Sequence, residues 1–410
     1  MKSKSVFFKL CIMMFMQYFL YAVWWVPFPS YLRNTLQLDM FEVALVLSAM
    51  AIGSLVSPII GVIVDRRFSS EKVLFVLNIL TSLFLFILIQ QTSMVGLMIT
   101  LILVMICYMP TWSLTSSIAM THVASEQFPR MRLMGTIGWV ASGVFSLVGM
   151  HAFKLEIFDG SLYPMYCGIA TGIVAAILNL FLPKTPPTGD KNRKISLMDI
   201  FGLKTLSTLK NKNYNIFIFI SVLAIIPFSL YHLYGALIFA DIQIKNITVT
   251  MNWGQVVEMV FLFITTTILI KFGFKKTLLF GLLAMLLRYL AFFLGVELDQ
   301  LWMYSIGVLT HGIIFGLFFV VGQVYTDKVA PNEIRAQAQG FLSFIVWGVG
   351  YLVGTFFNGY LIGNHAVEGK TDWGVVFGVA TVITLIVTVL FIFLFKKTDQ
   401  DKLTTEEKTS

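Results

Sequence analysis

The sequence predicts an all-α integral membrane protein, with twelve transmembrane helices arranged as two six-helix halves. Three observations carry that prediction. Hydrophobic residues make up 58% of the 410-residue chain and charged residues only 12%, about half the ~25% of soluble domains, and the mean hydropathy is +0.85. The apolar residues come in runs of roughly 20, long enough to cross a bilayer as helices and without strand-like alternation. A long polar stretch near the middle of the chain separates six such runs from six more.

The runs fall at 7–32, 41–64, 72–91, 94–119, 131–153 and 162–182, then at 214–240, 249–271, 277–295, 301–325, 336–361 and 373–395. The first has no small-residue cleavage site after it and reads as a retained helix. The resulting division is an N-terminal bundle (1–182), a linker (183–213), a C-terminal bundle (214–395) and a polar tail (396–410) expected to be disordered. Within the linker, PKTPPTGDKNRK is turn-rich, and LMDIFGLKTLSTLKNKN has the pattern of an amphipathic surface helix. Basic residues concentrate in alternate loops: Lys2, Lys4 and Lys9; Arg66, Arg67 and Lys72; Arg130 and Arg132; the linker; Lys271, Lys275 and Lys276; Lys328 and Arg335. The intervening loops hold Asp39, Glu42, Glu156, Asp159, Glu297 and Asp299. By the positive-inside rule both termini are cytoplasmic. The same distribution accounts for the net charge of +8 without a nucleic-acid partner. Cys11, Cys107 and Cys167 lie in apolar runs with neither metal nor disulfide spacing.

Against this apolar background, Gln255, Glu258 and Arg288 stand out. A charge at the bilayer centre costs ~2.5–3.5 kcal/mol even on insertion scales, so such residues usually face a watery cavity and handle substrate or protons. Low dielectric disfavours the charged form of a carboxylate, so Glu258 could take up a proton on one side and release it on the other. Gln255 lies one turn earlier on the same face, and its amide both donates and accepts. Arg288 reads as the partner of a carboxylate such as Glu258 or as a cavity cation. Arg132, Thr136 and Trp139 share a helix stripe of cation, hydroxyl and indole that suits a polar ring compound, although Arg132 also reads as an edge anchor. Gly135, Gly138 and Gly143 on the same run point to close helix approach. His232 and His311 lie within spans seven and ten, where imidazole can hydrogen-bond a solute, relay protons or simply sit in the core. In span one, Gln17, Tyr18, Tyr21, Trp24 and Trp25 read as interfacial anchors or as a stacking surface. In span four, Pro110 permits a bend, and Thr111, Ser113, Thr115 and Ser116 line a cavity or bond their own backbone.

No nucleotide-binding loop, phosphate cradle or metal cluster occurs in the sequence. The expectation is therefore a transporter and not an enzyme or an ATP-driven pump, with no cofactor and with an ion or solute gradient as its energy source. A non-transporting sensor lacks a sizeable soluble domain here. An exporter of greasy cations fits the polar residues poorly.

The six-plus-six layout resembles the major facilitator superfamily, in which two halves rock about a midplane site. Gly61-Val-Ile-Val-Asp65-Arg66-Arg67 is similar to that superfamily's loop signature, with a weaker echo at Lys271–Lys276. Within the superfamily the chain looks like the bacterial nucleoside:proton symporters. The matching stretches are FMQYFLYAVWW, CYMPTWSLTSSI, PRMRLMGTIGW, WGQVVEMVFLF, MLLRYLAFF, IRAQAQGFL and TDWGVVF. The resemblance implies solute contacts at Arg132, Thr136, Trp139, Gln255, Glu258 and Phe315, with Glu258 joining proton coupling. Two departures stand out. The family's polar pair in span seven is replaced by Ser229 and His232, and its span-ten aspartate is Gly316. The expected substrate-binding set is thus Arg132, Thr136, Trp139, Ser229, His232, Gln255, Glu258 and Phe315, with Glu258, His311 and Arg288 in proton coupling. The expected function is nucleoside import with protons by a monomer in the bacterial cytoplasmic membrane. The alternative is proton-coupled uptake of a sugar, glycoside or other polyhydroxylated solute, which the missing span-ten acid favours.

Overall fold

A computed structural model of the chain describes residues 2–122, 128–187, 211–244, 246–330, 335–367 and 370–397. The proposed amphipathic helix of the linker and most of the polar tail lie outside those residues, as do the side chains of Asp65 and Arg66 in the loop signature. The described chain is helical apart from turns and a small antiparallel hairpin, β1 (Ala366–Val367) and β2 (Lys370–Thr371). Ten helices among the described residues are long and apolar enough to cross a membrane. The predicted run 162–182 forms α8 (Tyr163–Asn179), which is apolar but shorter. The predicted runs 249–271 and 277–295 form two helical arms, labelled together α10 (Ile247–Glu297). Its two arms meet at Gly273, where φ is 75°, a conformation that costs glycine no Cβ clash.

The residues group into two compact units. One comprises Met1–Ile195 with Ala236–Asn252, and the other comprises Ser196–Gly235 with Trp253–Ser410. The first contains α1 (Lys2–Trp25), α2 (Met40–Leu47), α3 (Ala49–Arg67), α4 (Ser70–Leu88), α5 (Met94–His122), α6 (Phe128–Ala141), α7 (Gly143–His151) and α8. It also takes the end of α9 (Lys212–Asp241) and the start of α10. Helix α2 begins in a reciprocal cap: Asp39 accepts from the Glu42 N–H and Glu42 from the Asp39 N–H, at 2.8 and 2.9 Å, which satisfies two otherwise orphaned donors. Helix α1 packs on α6 and α8, and α4 on α5 and α8. The α1–α6 approach is close because Gly138 has no side chain to meet the Phe15 carbonyl.

Several buried polar groups of this unit are paired, as burial favours. Gln17 and Asn78 exchange amide hydrogen bonds (3.3 and 3.1 Å), and Gln17 also donates to Thr111 (2.7 Å). Asp159, in the turn between α7 and α8, is 5% exposed. It accepts from the Thr248 N–H (3.0 Å), the Thr248 hydroxyl (2.7 Å) and the Ser146 hydroxyl (3.2 Å). Burial raises the Asp159 carboxyl above its ordinary value of 3.8, and these donors offset part of that shift.

The second unit holds most of α9, the rest of α10, α11 (Leu301–Ile314), α12 (Val321–Val329), α13 (Arg335–Ser343), α14 (Tyr351–Asn364) and α15 (Trp373–Leu394). Two π-helical turns, Phe315–Val320 and Phe344–Gly350, continue α11 into α12 and α13 into α14. Such turns recur at functional sites. Helix α9 is tied to α14 by Tyr234 donating to the Thr355 carbonyl (2.8 Å) and by Asn358 donating to the Ile226 carbonyl (2.8 Å).

Candidate functional site

The chemistry of the second unit starts from an absence of side chains. A Cβ at Gly312 would overlap the backbone of Val257 and Glu258, and one at Gly254 would lie 2.8 Å from the Val308 carbonyl and 2.9 Å from His311 Cβ. Helices α10 and α11 therefore touch backbone to backbone, which sets His311 beside two residues one turn apart on α10. Gln255 Nε2 lies 3.0 Å from His311 Nε2. With the amide nitrogen donating, Nε2 accepts and the ring proton sits on Nδ1. Nδ1 has no hydrogen-bond partner among the described residues. Glu258 Oε2 stands 3.8 Å from the same Nε2. That separation is too long for a hydrogen bond but lies within ion-pair range once Nε2 gains a proton, at which point Nε2 no longer accepts from Gln255. Glu258 is 5% and His311 3% exposed, whereas Gln255 is only half-buried. The cluster thus joins an amide that can meet a solute to a buried imidazole–carboxylate pair that can hold a proton.

Arg288 is fully buried. Its Nε donates to the Gly307 carbonyl (3.0 Å) and the Thr310 hydroxyl (3.3 Å), and its guanidinium lies 4.3 Å from the centre of the Tyr231 ring. Its terminal nitrogens have no hydrogen-bond partner among the described residues. The direct Arg288–Glu258 pair considered from the sequence does not form among the described residues; Arg288 faces α11 and Tyr231. Of the two replaced span-seven positions, Ser229 is fully buried, donating to the Ile226 carbonyl (2.8 Å) and accepting from Asn358 (3.0 Å). His232 bonds the Tyr351 hydroxyl at 2.5 Å, with its ring centre 6.4 Å from that of His311. Phe315 is half-buried and lies 6.3 Å from the His311 ring centre, 22° from parallel. A Cβ at Gly316 would point to α10, 3.2 Å from Thr265 Oγ1 and 3.3 Å from Phe261 Cβ.

In the first unit, Arg132, Thr136 and Trp139 follow one stripe of α6. The Arg132 guanidinium lies 4.2 Å from the centre of the Tyr18 ring, in space that a side chain at Gly135 would crowd. It makes no hydrogen bond or ion pair among the described residues. Thr136 is buried, and Trp139 is half-buried and edge-on to Tyr21 at 5.7 Å. Trp24 and Trp25, read from sequence as anchors or stackers, are both buried. Thr111 and Ser113 back-bond to carbonyls of their own helix while Thr111 also holds Gln17.

Sequence reasoning passed over Trp112, Tyr108, Phe228 and Trp347. Trp347 lies in the second π turn, 6.4 Å from Phe315 and 5.9 Å from Phe228. Its signal was a lone Trp in the Gly-flanked WGVGY run. Phe228 sits 5.8 Å from His311, and among 38 phenylalanines nothing local marks it out.

The model of one protein family, described as nucleoside H+ symporter, matches residues 4–400. A putative nucleoside transporter of Escherichia coli, YegT, is 32% identical over 405 residues, covering 96% of this chain and 94% of that protein. The xanthosine permease of Escherichia coli is 25% identical over 410 residues, covering 96% of each. The crystal structure of the nucleoside transporter NupG superposes with a TM-score of 0.84 at 23% identity, covering 96% of this chain and all of that one. That likeness shows the fold alone, the helical architecture of that solved transporter. A match across nearly the whole chain, together with a relative above 30% identity, makes the assignment: this chain belongs to the nucleoside H+ symporter family.

Proposed function

We propose that the chain imports nucleosides together with protons by alternating access. The observation that carries this reading is the Gln255–His311–Glu258 cluster inside a chain matched to the family from residue 4 to residue 400. Gln255 offers the solute its carbonyl oxygen while its nitrogen engages His311. Glu258 and His311 exchange the coupled proton, and the Gln255 N–H leaves Nε2 whenever the ring takes it. Buried charge is costly, so a proton arriving with the solute neutralises the carboxylate and eases the passage between outward-open and inward-open states. Arg288 acts at one remove, as a fixed cation close to His311 that biases where this proton rests. Phe315 and His232 line the same cluster, and Ser229 holds α9 against α14. In the first unit, Arg132, Thr136 and Trp139 supply a cation, a hydroxyl and an indole to the solute.

The architecture that goes with this reading has twelve spans in two six-helix halves. The two arms of α10 count as separate spans and α8 as a short one. The halves are 1–182 and 214–395, joined by the 183–213 linker, with both termini cytoplasmic and the protein a monomer in the bacterial cytoplasmic membrane. Gly316 favours a second reading, in which another polyhydroxylated solute such as a sugar or glycoside takes the nucleoside's place. The test is uptake of labelled uridine and adenosine into proteoliposomes with and without an inward proton gradient. Gradient-stimulated accumulation of either supports nucleoside symport. Accumulation of sugars or glycosides alone replaces it with the second reading.

A further inference from the structure

One half-buried aromatic side chain in the first unit is held too firmly for a simple filler. Trp112 lies on α5, one turn after Tyr108, and its Nε1 donates to the Tyr108 hydroxyl at 3.0 Å. That hydroxyl in turn donates to the Gln17 carbonyl at 2.7 Å, and the Gln17 side chain is fixed by Asn78 and Thr111. The indole therefore sits at the end of a buried hydrogen-bond chain that leaves it one orientation. Its ring stacks against Tyr18 (5.7 Å, 22°) and meets Tyr21 edge-on (5.6 Å, 88°). The Tyr18 ring that backs it also carries the Arg132 guanidinium at 4.2 Å. That cation has no hydrogen bond or ion pair among the described residues, so its donors are available to a ligand. Trp112 and Trp139 are both half-buried, while Tyr18, Tyr21 and Tyr108 are buried behind them.

The arrangement is a rigid π surface beside an unspent cation. Such a pair suits a planar heteroaromatic ring joined to a hydroxyl-rich group: the ring stacks and the guanidinium meets the oxygens. Within the nucleoside reading, on which this inference rests, the planar ring is the nucleobase. We propose that Trp112 is a base-stacking residue of this transporter and that it sets the preference for purine over pyrimidine nucleosides. A purine presents two fused rings to an indole where a pyrimidine presents one, so its loss on removal of the indole is the larger. Tyr108 and Gln17 are positioning residues that hold the ring.

The test compares KM and Vmax for adenosine and uridine in proteoliposomes of the wild type, Trp112→Leu and Trp112→Phe. Trp112→Leu is expected to raise the adenosine KM about tenfold, the usual scale of losing one stacked base, and the uridine KM by clearly less. Vmax per folded transporter should stay near the wild-type value. Trp112→Phe, which keeps a smaller ring, should fall between. Equal KM changes for the two nucleosides, or a loss confined to Vmax, would make Trp112 a packing residue and overturn the proposal. If the Leu variant does not fold, an unchanged adenosine-to-uridine KM ratio in the Phe variant overturns it equally. A wild type that transports neither nucleoside overturns the nucleoside reading and this proposal together, so the two failures stay distinct.

Discussion

Gly312→Ala should disable this transporter although alanine is the better helix former. Replacing a helical glycine by alanine gains up to ~1 kcal/mol when the added methyl meets nothing. At Gly312 the methyl would overlap the backbone nitrogen and Cα of Glu258 and the carbonyl carbon of Val257. These are main-chain atoms of a packed helix and cannot swing aside like the end of a side chain. Forcing extra volume into a tight core costs ~1–3 kcal/mol, and rigid neighbours place this case at the upper end. The net is a loss of ~2 kcal/mol, with α11 pushed away from α10. The shift separates His311 from Gln255 and Glu258, so coupling should suffer along with stability. Gly340 is the control, because a Cβ there has nothing within 4 Å. Gly340→Ala should be neutral or stabilising by up to ~1 kcal/mol. Thermal unfolding in detergent, with proton-driven uptake in liposomes, reads both effects. Gly312→Ala melting at or above the wild-type temperature with full coupling would refute the backbone contact on which the site rests.

Four further outcomes follow from named contacts. Glu258→Gln should abolish accumulation against a gradient while nucleoside exchange persists; full pH-dependent uphill uptake would remove Glu258 from coupling. Family likeness alone suggests that Gly316→Asp would improve nucleoside affinity. The 3.2–3.3 Å clearance to Thr265 and Phe261 predicts instead a destabilised protein with no gain, and tighter nucleoside binding by a stable variant would contradict this. Tyr351→Phe removes the hydroxyl that holds His232 and should cost ~1–3 kcal/mol of stability if the imidazole nitrogen is left buried and unpaired; an unchanged melting temperature would show the ring re-pairing. Because burial raises Asp159 in the folded protein, its contribution is greatest below its ordinary value of 3.8 and is lost as pH rises through the higher folded value. The melting-temperature advantage of wild type over Asp159→Asn should therefore shrink as pH rises across that window, and a constant difference would refute the assignment.

Much of the fold was legible because lipid imposes a simple rule: apolar runs of bilayer length become helices. Run length was less legible than run position: the run 162–182 forms only the shorter α8, Tyr163–Asn179. Lys271, Lys275 and Lys276 mark a break by charge, and the backbone leaves the helix there at Gly273, between the two arms of α10. Site residues were legible where a costly group stood in an apolar run, as with Glu258, or where two groups shared a helix face, as with Gln255 and Glu258. Their partner was not. His311 reaches them only because Gly254 and Gly312 let two backbones meet, and no periodicity within one helix encodes such a contact. The same holds for Arg288, which turned to Gly307, Thr310 and Tyr231, and for Ser229, captured by Asn358 on α14. Trp112 escaped notice because its importance lies in a hydrogen-bond chain through Tyr108 to span one, a tertiary fact.

The most direct measurement is proton movement itself. Proteoliposomes loaded with a pH-sensitive dye and held without an imposed gradient would receive external uridine or adenosine, for wild type and Glu258→Gln. The account predicts that nucleoside addition acidifies the lumen through the wild type and leaves it unchanged through the variant. Nucleoside entry through the wild type without acidification, or equal acidification through Glu258→Gln, would contradict proton coupling at the Glu258–His311 pair.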